Sequence, residues 1–498
     1  MSPAPLDPIP RHLEITCMEA ARPRSFDVVP AGTHDGSSPF VVPAVTPAGL
    51  AAFAQSVSGS VVFPDDPEFD AARAVHNMRF DRTPTVIVRA ADADDVSRAV
   101  RLARETGLEL AVRSGGHSLA GHGTSDGGIV IDLSAMKGLL IDPDRRLAWA
   151  QTGLTAGEVT AAAAEHGLAV PFGDTATVGI GGITTGGGIG FLTRKYGMTI
   201  DNVVAAEVVT ADGRILVVDE ERHPDLFWAI RGGGGNVGIV TRFVYRLVDA
   251  GLVVGGGLVL PATADVLAGL VRAAKAAPEE LTTISFVMAA PPAPFIPPQR
   301  VGELVVMVLG VAVGSVEDGL AAWAPFRALA EPVADLVGPM PYPTIYQLTA
   351  QAGAPSATSI RSWFADDLDA TDAATLIDFM RRAPTPVAMT QIRVFGGAMA
   401  RVAPEDTAFS QRDAGVLVAV MSMFEPGTDG GPSDAWTAEI LRAFSAKVTG
   451  VYANFLGDEG DDRIRSAYPH GAYESLAAVK RRYDPANLFR LNQNVPPA

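Results

Sequence analysis

The stretch Arg113-Ser-Gly-Gly-His117-Ser-Leu-Ala-Gly-His122-Gly123 decides how this chain is read. It leaves a strand expected over residues 108–112 with few side chains to shield its amides. Consecutive free amides in such a turn form a concave nest that suits a phosphate. A chain with a formal net charge of −17 gains from holding an anion with backbone dipoles.

Upstream, residues 85–88 (Thr-Val-Ile-Val) predict another short strand. Asp94 and Asp95 favour a helix start, where acids meet the positive dipole end. Val96, Ala99, Val100 and Ala103 share one helical face, and Gly107 ends that helix. Together these predict a β-α-β unit that delivers the loop. Downstream, residues 128–133 read as a buried strand, and residues 139–142 and 146–150 flank Pro143-Asp144 as a hairpin. Thr155-Ala-Gly-Glu158 fits a capping box opening an alanine-rich helix that stops at Gly167. Residues 203–209 and 214–218 flank Asp212-Gly213 as a second hairpin.

Two further stretches are as rich in glycine. Thr177 to Gly190 places seven glycines in the twelve residues 179–190, so its backbone can lie close to a large flat ligand. Arg231-Gly-Gly-Gly-Gly235-Asn236-Val-Gly238 contains a literal G-x-G-x-x-G at Gly233, Gly235 and Gly238. A dinucleotide fingerprint must follow a strand and open a helix. Here a helical stretch at 225–230 comes first and a strand at 239–247 follows, so the Rossmann reading is rejected. No Walker A sequence is present. One glycine loop alone is as often a plain tight turn. Three of them between residues 113 and 240 point to a shared ligand.

Of eight histidines, His117 and His122 lie in the first loop. The other six, His76 among them, read as surface or helix-end residues. His117 and His122 lack a third ligand pattern nearby, so no metal is assigned.

The chain has 498 residues, 48% hydrophobic and 19% charged, which is globular composition with room for two or three domains. Its acidity argues against nucleic acid and anionic membranes as partners. The single cysteine, Cys17, excludes an intrachain disulfide and a cysteine-rich metal site. No long apolar run suits a membrane span, and no secretory signal is convincing, so a cytoplasmic location is expected. Residues 1–45, rich in Pro, Ala, Gly and Ser, read as an N-terminal arm. Over residues 251–450 the glycine loops thin out and longer helices and strands alternate, as in a second domain. The segment 451–498 carries the polar cluster Arg490-Leu-Asn-Gln-Asn494 and is expected to return to the first.

Taken in order, several motifs resemble one family. They are Arg-Ser-Gly-Gly-His at 113–117, Asp126-Gly-Gly-Ile-Val-Ile-Asp-Leu-Ser134, and the block 177–190 followed by Arg194-Lys-Tyr-Gly197 and Asp201-Asn202. Asp225-Leu-Phe-Trp228 with residues 231–236, Tyr452-Ala-Asn454-Phe455 and the stretch 483–494 complete the set. Across residues 70–498 the chain resembles the berberine-bridge-enzyme-like branch of the vanillyl-alcohol-oxidase flavoproteins. The resemblance implies an α+β fold. A two-subdomain FAD-binding domain would span 46–250, an inserted α+β substrate domain over an antiparallel sheet 251–450, and a closing C-terminal segment 451–498.

It further implies FAD bonded to His117 through the 8α-methyl. Arg113, Ser114, Gly115, Gly116 and Ser118, with Gly179, Gly181, Gly182, Gly186 and Gly190, would hold the pyrophosphate and ribityl chain. Ile239 would lie near the adenine, and Asn492 and Asn494 near the isoalloxazine edge. Thr175 stands where many relatives carry a cysteine that makes a second flavin bond, so a single link is expected. Val178 stands where relatives gate oxygen, and it is the smaller choice seen in oxidases. Gln391, Arg393 and Phe395 alternate as one strand face, at positions that line the substrate site in relatives. Tyr452 is the implied proton acceptor, if its pKa is lowered. The implied reaction passes a hydride from a small-molecule alcohol, sugar, amine or secondary metabolite to the flavin, with molecular oxygen giving hydrogen peroxide. A dehydrogenase or monooxygenase on the same scaffold, or a non-catalytic flavin carrier, are the alternatives. The sequence sets no oligomeric state.

Overall fold

The computed structural model describes residues 46–498. The arm expected over residues 1–45, with Cys17 and the reading of its leader, lies outside the described residues.

The β-α-β unit behind the first loop is present. Strands Val86–Arg89 and Leu110–Arg113 both run parallel to Ile129–Asp132, and Ser60–Val62 adds an antiparallel edge. The helix Ala93–Thr106 connects the first two. The Asp92 side chain accepts from the Asp95 amide at its start, and Gly107 ends it at φ 71°. Its Val96, Ala99, Val100 and Ala103 face packs with Val86, Val88, Ile129 and Ile131, turning periodicity into core.

A second sheet of five antiparallel strands follows. Each expected hairpin forms one edge of it, and Ile239–Arg246 joins them at the centre. The Thr155–Glu158 capping box closes in both directions, although its helix ends at Ala164 rather than Gly167. The second glycine block is not all loop, for residues Ile180–Gly186 form a short helix. Around the G-x-G-x-x-G, helix Pro224–Ile230 precedes and strand Ile239–Arg246 follows, opposite to the Rossmann order.

Between Leu252 and Phe424 the chain builds one antiparallel sheet of eight strands. Ile392, Val418, Val420 and Trp363 face a layer of helices that includes Ala264–Ala276, Ala370–Arg381 and Gly431–Ala443. Alternation along the same strands turns Phe286, Met389, Gln391, Arg393 and Met421 to the opposite face. Residues after 450 pack back on the first part of the chain. Val451, Leu476 and Val495 join the core of the five-stranded sheet, and Phe489 that of the four-stranded one. Among the described residues no helix is long and apolar enough to cross a membrane.

Candidate active site

The three glycine stretches and the free face of the eight-stranded sheet enclose a cavity of about 390 Å3. Two kinds of glycine shape its first wall. Gly115 and Gly179 let two loops touch backbone to backbone. A Cβ on Gly115 would stand 2.3 Å from the Gly179 nitrogen, and one on Gly179 2.2 Å from the Gly115 nitrogen. Gly182, by contrast, would place a Cβ within 4 Å of nothing. There the missing side chain leaves room instead of avoiding a clash. Ser114 fastens the loops, its Oγ donating to the Thr152 carbonyl and accepting from the Gly181 amide at 3.2 Å.

His117 lies on this wall with its ring stacked on that of His76, centroids 4.1 Å apart. Burial, and next the neighbouring His76, lower its pKa to about 4, against a hydrogen bond with the Thr177 backbone. His117 is therefore neutral at pH 7, with a free ring nitrogen lone pair. His76 is not the surface residue expected, because it lines the cavity and burial lowers its pKa too. Burial, and next Arg82, hold the His122 pKa at about 4 as well, with Asp458 opposing.

Arg113 reaches the cavity, yet its guanidinium bonds to Asp132 at 2.7 Å and to the carbonyls of Ala72 and Ala74. It thus positions the segment that carries His76. Gly116, Ser118, Thr175, Val178, Gly181, Ile239 and Asn492 also line the cavity. Gly186, Gly190 and Asn494 do not. Gly186 is backed by the Asn454 side chain and Gly190 by the Phe172 carbonyl, while Asn494 Oδ1 accepts from the buried Lys480 ammonium at 2.9 Å.

The second wall carries the polar side chains. Arg393 donates to Asp174 Oδ2 at 2.8 Å, to Gln391 Oε1 at 3.0 Å and to the Ile189 carbonyl at 2.7 Å. Gln391 Nε2 donates to the same Asp174 oxygen at 3.3 Å. Asp174 Oδ1 has only the Thr175 hydroxyl at 3.3 Å. Phe395 does not join this wall, since it lies beyond strand Ala388–Val394 and packs on Phe364. Tyr452 Oη accepts from the Gly188 amide at 2.9 Å and from Asn454 Nδ2 at 3.0 Å. Burial nevertheless raises its pKa. The condition set for Tyr452 as proton acceptor is unmet, and it stays a phenol at neutral pH.

Sequence reasoning passed over His76, Asp174 as a partner of Arg393, and the apolar lining Phe286, Met389, Met421 and Met423. The spacing of Met389 to Gln391 and Arg393 was the one available signal.

Around the cavity, both ring nitrogens of His122, the Tyr468 hydroxyl and Asn492 Oδ1 are buried without a protein partner. Buried polar atoms of this kind call for a ligand or water. Room beside glycine backbone together with such atoms fits an extended, partly polar group such as FAD.

Known proteins agree. A family described as FAD binding domain matches residues 84–219, and one described as Berberine and berberine like matches residues 451–496. The (R)-6-hydroxynicotine oxidase of Paenarthrobacter nicotinovorans is 32% identical over 454 residues, covering 89% of this chain and 97% of the relative. The crystal structure of 6-hydroxy-D-nicotine oxidase from Arthrobacter nicotinovorans matches with a TM-score of 0.78 at 30% identity, over 89% of this chain and 98% of that one. The xylooligosaccharide oxidase of Myceliophthora thermophila, solved with xylobiose, shares the fold with a TM-score of 0.79 at 24% identity, over 90% of this chain and 99% of that one. With two family matches placed on the glycine-loop half and the returning C-terminal segment, the chain belongs to the berberine-bridge-enzyme-like branch of the vanillyl-alcohol-oxidase flavoproteins and is an FAD-dependent oxidase.

Proposed function

We propose that the chain holds FAD covalently through His117 alone and oxidises a small molecule bearing a C–H next to a hydroxyl or amine. In the overall change the substrate loses the hydrogen on that carbon and the one on its attached oxygen or nitrogen. The carbon–heteroatom single bond becomes double, and molecular oxygen takes both hydrogens and two electrons to become hydrogen peroxide. The observation that carries the reading is His117 itself, a neutral imidazole stacked on His76 in the wall of the glycine-loop cavity. When bound, FAD supplies the two-electron chemistry of the C–H bond, and oxygen restores it.

The residues divide the remaining work. Ser114, Gly115 and Gly179 fix the loops, and the neutral ring of His117 would hold the flavin at its 8α-methyl carbon. That bond replaces one C–H of the methyl, the proton leaving to solvent and the two electrons passing through the flavin ring to molecular oxygen. Thr175 cannot make a second link, because that bond needs a thiolate and the only cysteine is Cys17. Val178 keeps the approach for oxygen open. Among the described residues lining the cavity, Asp174 is the only carboxylate. With Oδ2 held by Arg393 and Gln391, its Oδ1 takes the substrate's O–H or N–H proton. Tyr452 orients that group as a neutral phenol. On this reading residues 46–250 and 451–498 serve the cofactor, and residues 251–450 the substrate.

Acid precipitation followed by peptide mass spectrometry tests the attachment. Flavin on a single peptide containing His117 is the expected result. Flavin fully released by acid, or bridging two peptides, refutes it.

A further inference from the structure

The sheet wall has two chemically different ends, and strand register sets the division. Arg393 and Gln391 mark the polar end. Two residues before Gln391, Met389 faces the same way and pairs with Met421 on the neighbouring strand. Met423 continues that row, and Phe286 pairs with Gln391 from the other side. Met389, Met421 and Met423 are half-buried, whereas Thr390, Val420 and Ser422 on the same strands are fully buried. The exposed part of each methionine is thus its cavity face.

The few polar side chains around this apolar end are small hydroxyls already bonded within the protein. Ser356 Oγ and Thr358 Oγ1 bond to each other at 3.0 Å, and Thr349 Oγ1 donates to the Asp174 carbonyl at 2.6 Å. A sugar carries a hydroxyl on nearly every carbon. Pressed against methionine and phenylalanine, those hydroxyls would lose water and gain no partner. Thioethers are polarizable and adaptable, and they favour aromatic rings.

We propose that the cavity selects an alcohol or amine with an apolar, ring-bearing body. The oxidisable carbon meets the Asp174–Arg393–Gln391 end, and the ring lies on Phe286, Met389, Met421 and Met423. This rests on the oxidase reading above and specifies its substrate class.

The test uses holoenzyme of the wild type, Met421→Gln, Met423→Gln and Met421→Leu, each with its flavin stoichiometry measured first. Every protein is titrated with 1-phenylethanol, 1-phenylethylamine and cellobiose while flavin absorbance and peroxide release are followed. The aryl probes are expected to act at lower concentration than cellobiose. Either glutamine variant should weaken the aryl response about tenfold, as polarity introduced into an apolar pocket does. Met421→Leu, which keeps this wall apolar, should weaken it clearly less than Met421→Gln does. Cellobiose acting at lower concentration, silence toward both aryl probes, or an aryl response indifferent to both glutamine changes overturns the proposal. Failure of the underlying reading looks different: wild-type flavin is absent, or acid releases it, before any probe is added.

Discussion

On the wall built from residues 113–118 and 177–190, the main chain does the contacting and glycines keep side chains away. On the wall built from strands Leu281–Ala289, Ala388–Val394 and Val416–Phe424, side chains do it, and alternation decides which ones face in. The first wall tolerates few residue types, because at its closest approaches a Cβ has nowhere to go. The second keeps its shape through backbone pairing whatever its side chains are. A scaffold divided this way can hold one cofactor and change what it acts on. Substitutions on the first wall should therefore strike attachment and folding, and those on the second should strike turnover.

The largest effect is expected from His117→Ala. All flavin should become extractable by acid, and covalent flavin surviving in this variant would place the link elsewhere. Next is Asp174→Asn, whose amide oxygen still accepts from Arg393 but cannot take a proton. Turnover should fall about 10²–10⁴-fold, with covalent flavin unchanged. A loss of flavin equal to the loss of turnover would move Asp174 to the structural side of the comparison.

Gly179→Ala introduces a Cβ 2.2 Å from the Gly115 nitrogen. Denaturant unfolding should show a cost of about 1–3 kcal/mol. Unchanged stability would mean that the loops part easily and that the first wall yields to an added side chain. The smallest effect concerns His122, whose pKa is about 4 in the fold against 6.5 as the ordinary value. Unfolding takes up a proton between those values, so folded-state stability is lost as pH falls from 6.5 toward 4. Unfolding curves of His122→Leu at pH 7, 5.5 and 4 should show a shallower loss than the wild type. Equal slopes would assign the pH response to other groups.

The same contrast explains what the sequence disclosed. Gly115, Gly179 and His117 could be found because each sits in a glycine-rich turn that can be read over a few residues, although the contacts they make are with distant parts of the chain. The capping box at Thr155 and Glu158 is equally local. Phe286, Met389, Met421 and Met423 were hidden, since alternation shows that a strand has two faces but not which one borders a cavity. Asp174 was visible as a residue, but its partner Arg393 lies 219 positions away. His76 has no local mark at all. Its stack on His117 goes with tertiary contacts, Arg113 on the Ala72 and Ala74 carbonyls and the His76 amide on the Gly116 carbonyl at 3.0 Å, which leave no spacing to read. The burial that raised the Tyr452 pKa is likewise a property of the packed fold.

Asn77, the residue after His76, is almost fully buried and bonds to two cavity-lining residues, Leu119 beside the first loop and Thr358 on the edge strand of the sheet. Its Nδ2 donates to the Leu119 carbonyl at 3.0 Å and to the Thr358 carbonyl at 3.2 Å, and its Oδ1 accepts from the Thr358 amide at 3.0 Å. The Ser356 amide donates to the His76 carbonyl and the Met78 amide to the Ser356 carbonyl, so a short parallel bridge completes the clasp. The edge of the sheet and the histidine stack are thereby parts of one mechanical element. Energetic coupling across such an element is reciprocal. If a ligand against the sheet shifts the setting of His76 on His117, then fixing His117 must return the same bias to affinity at the sheet.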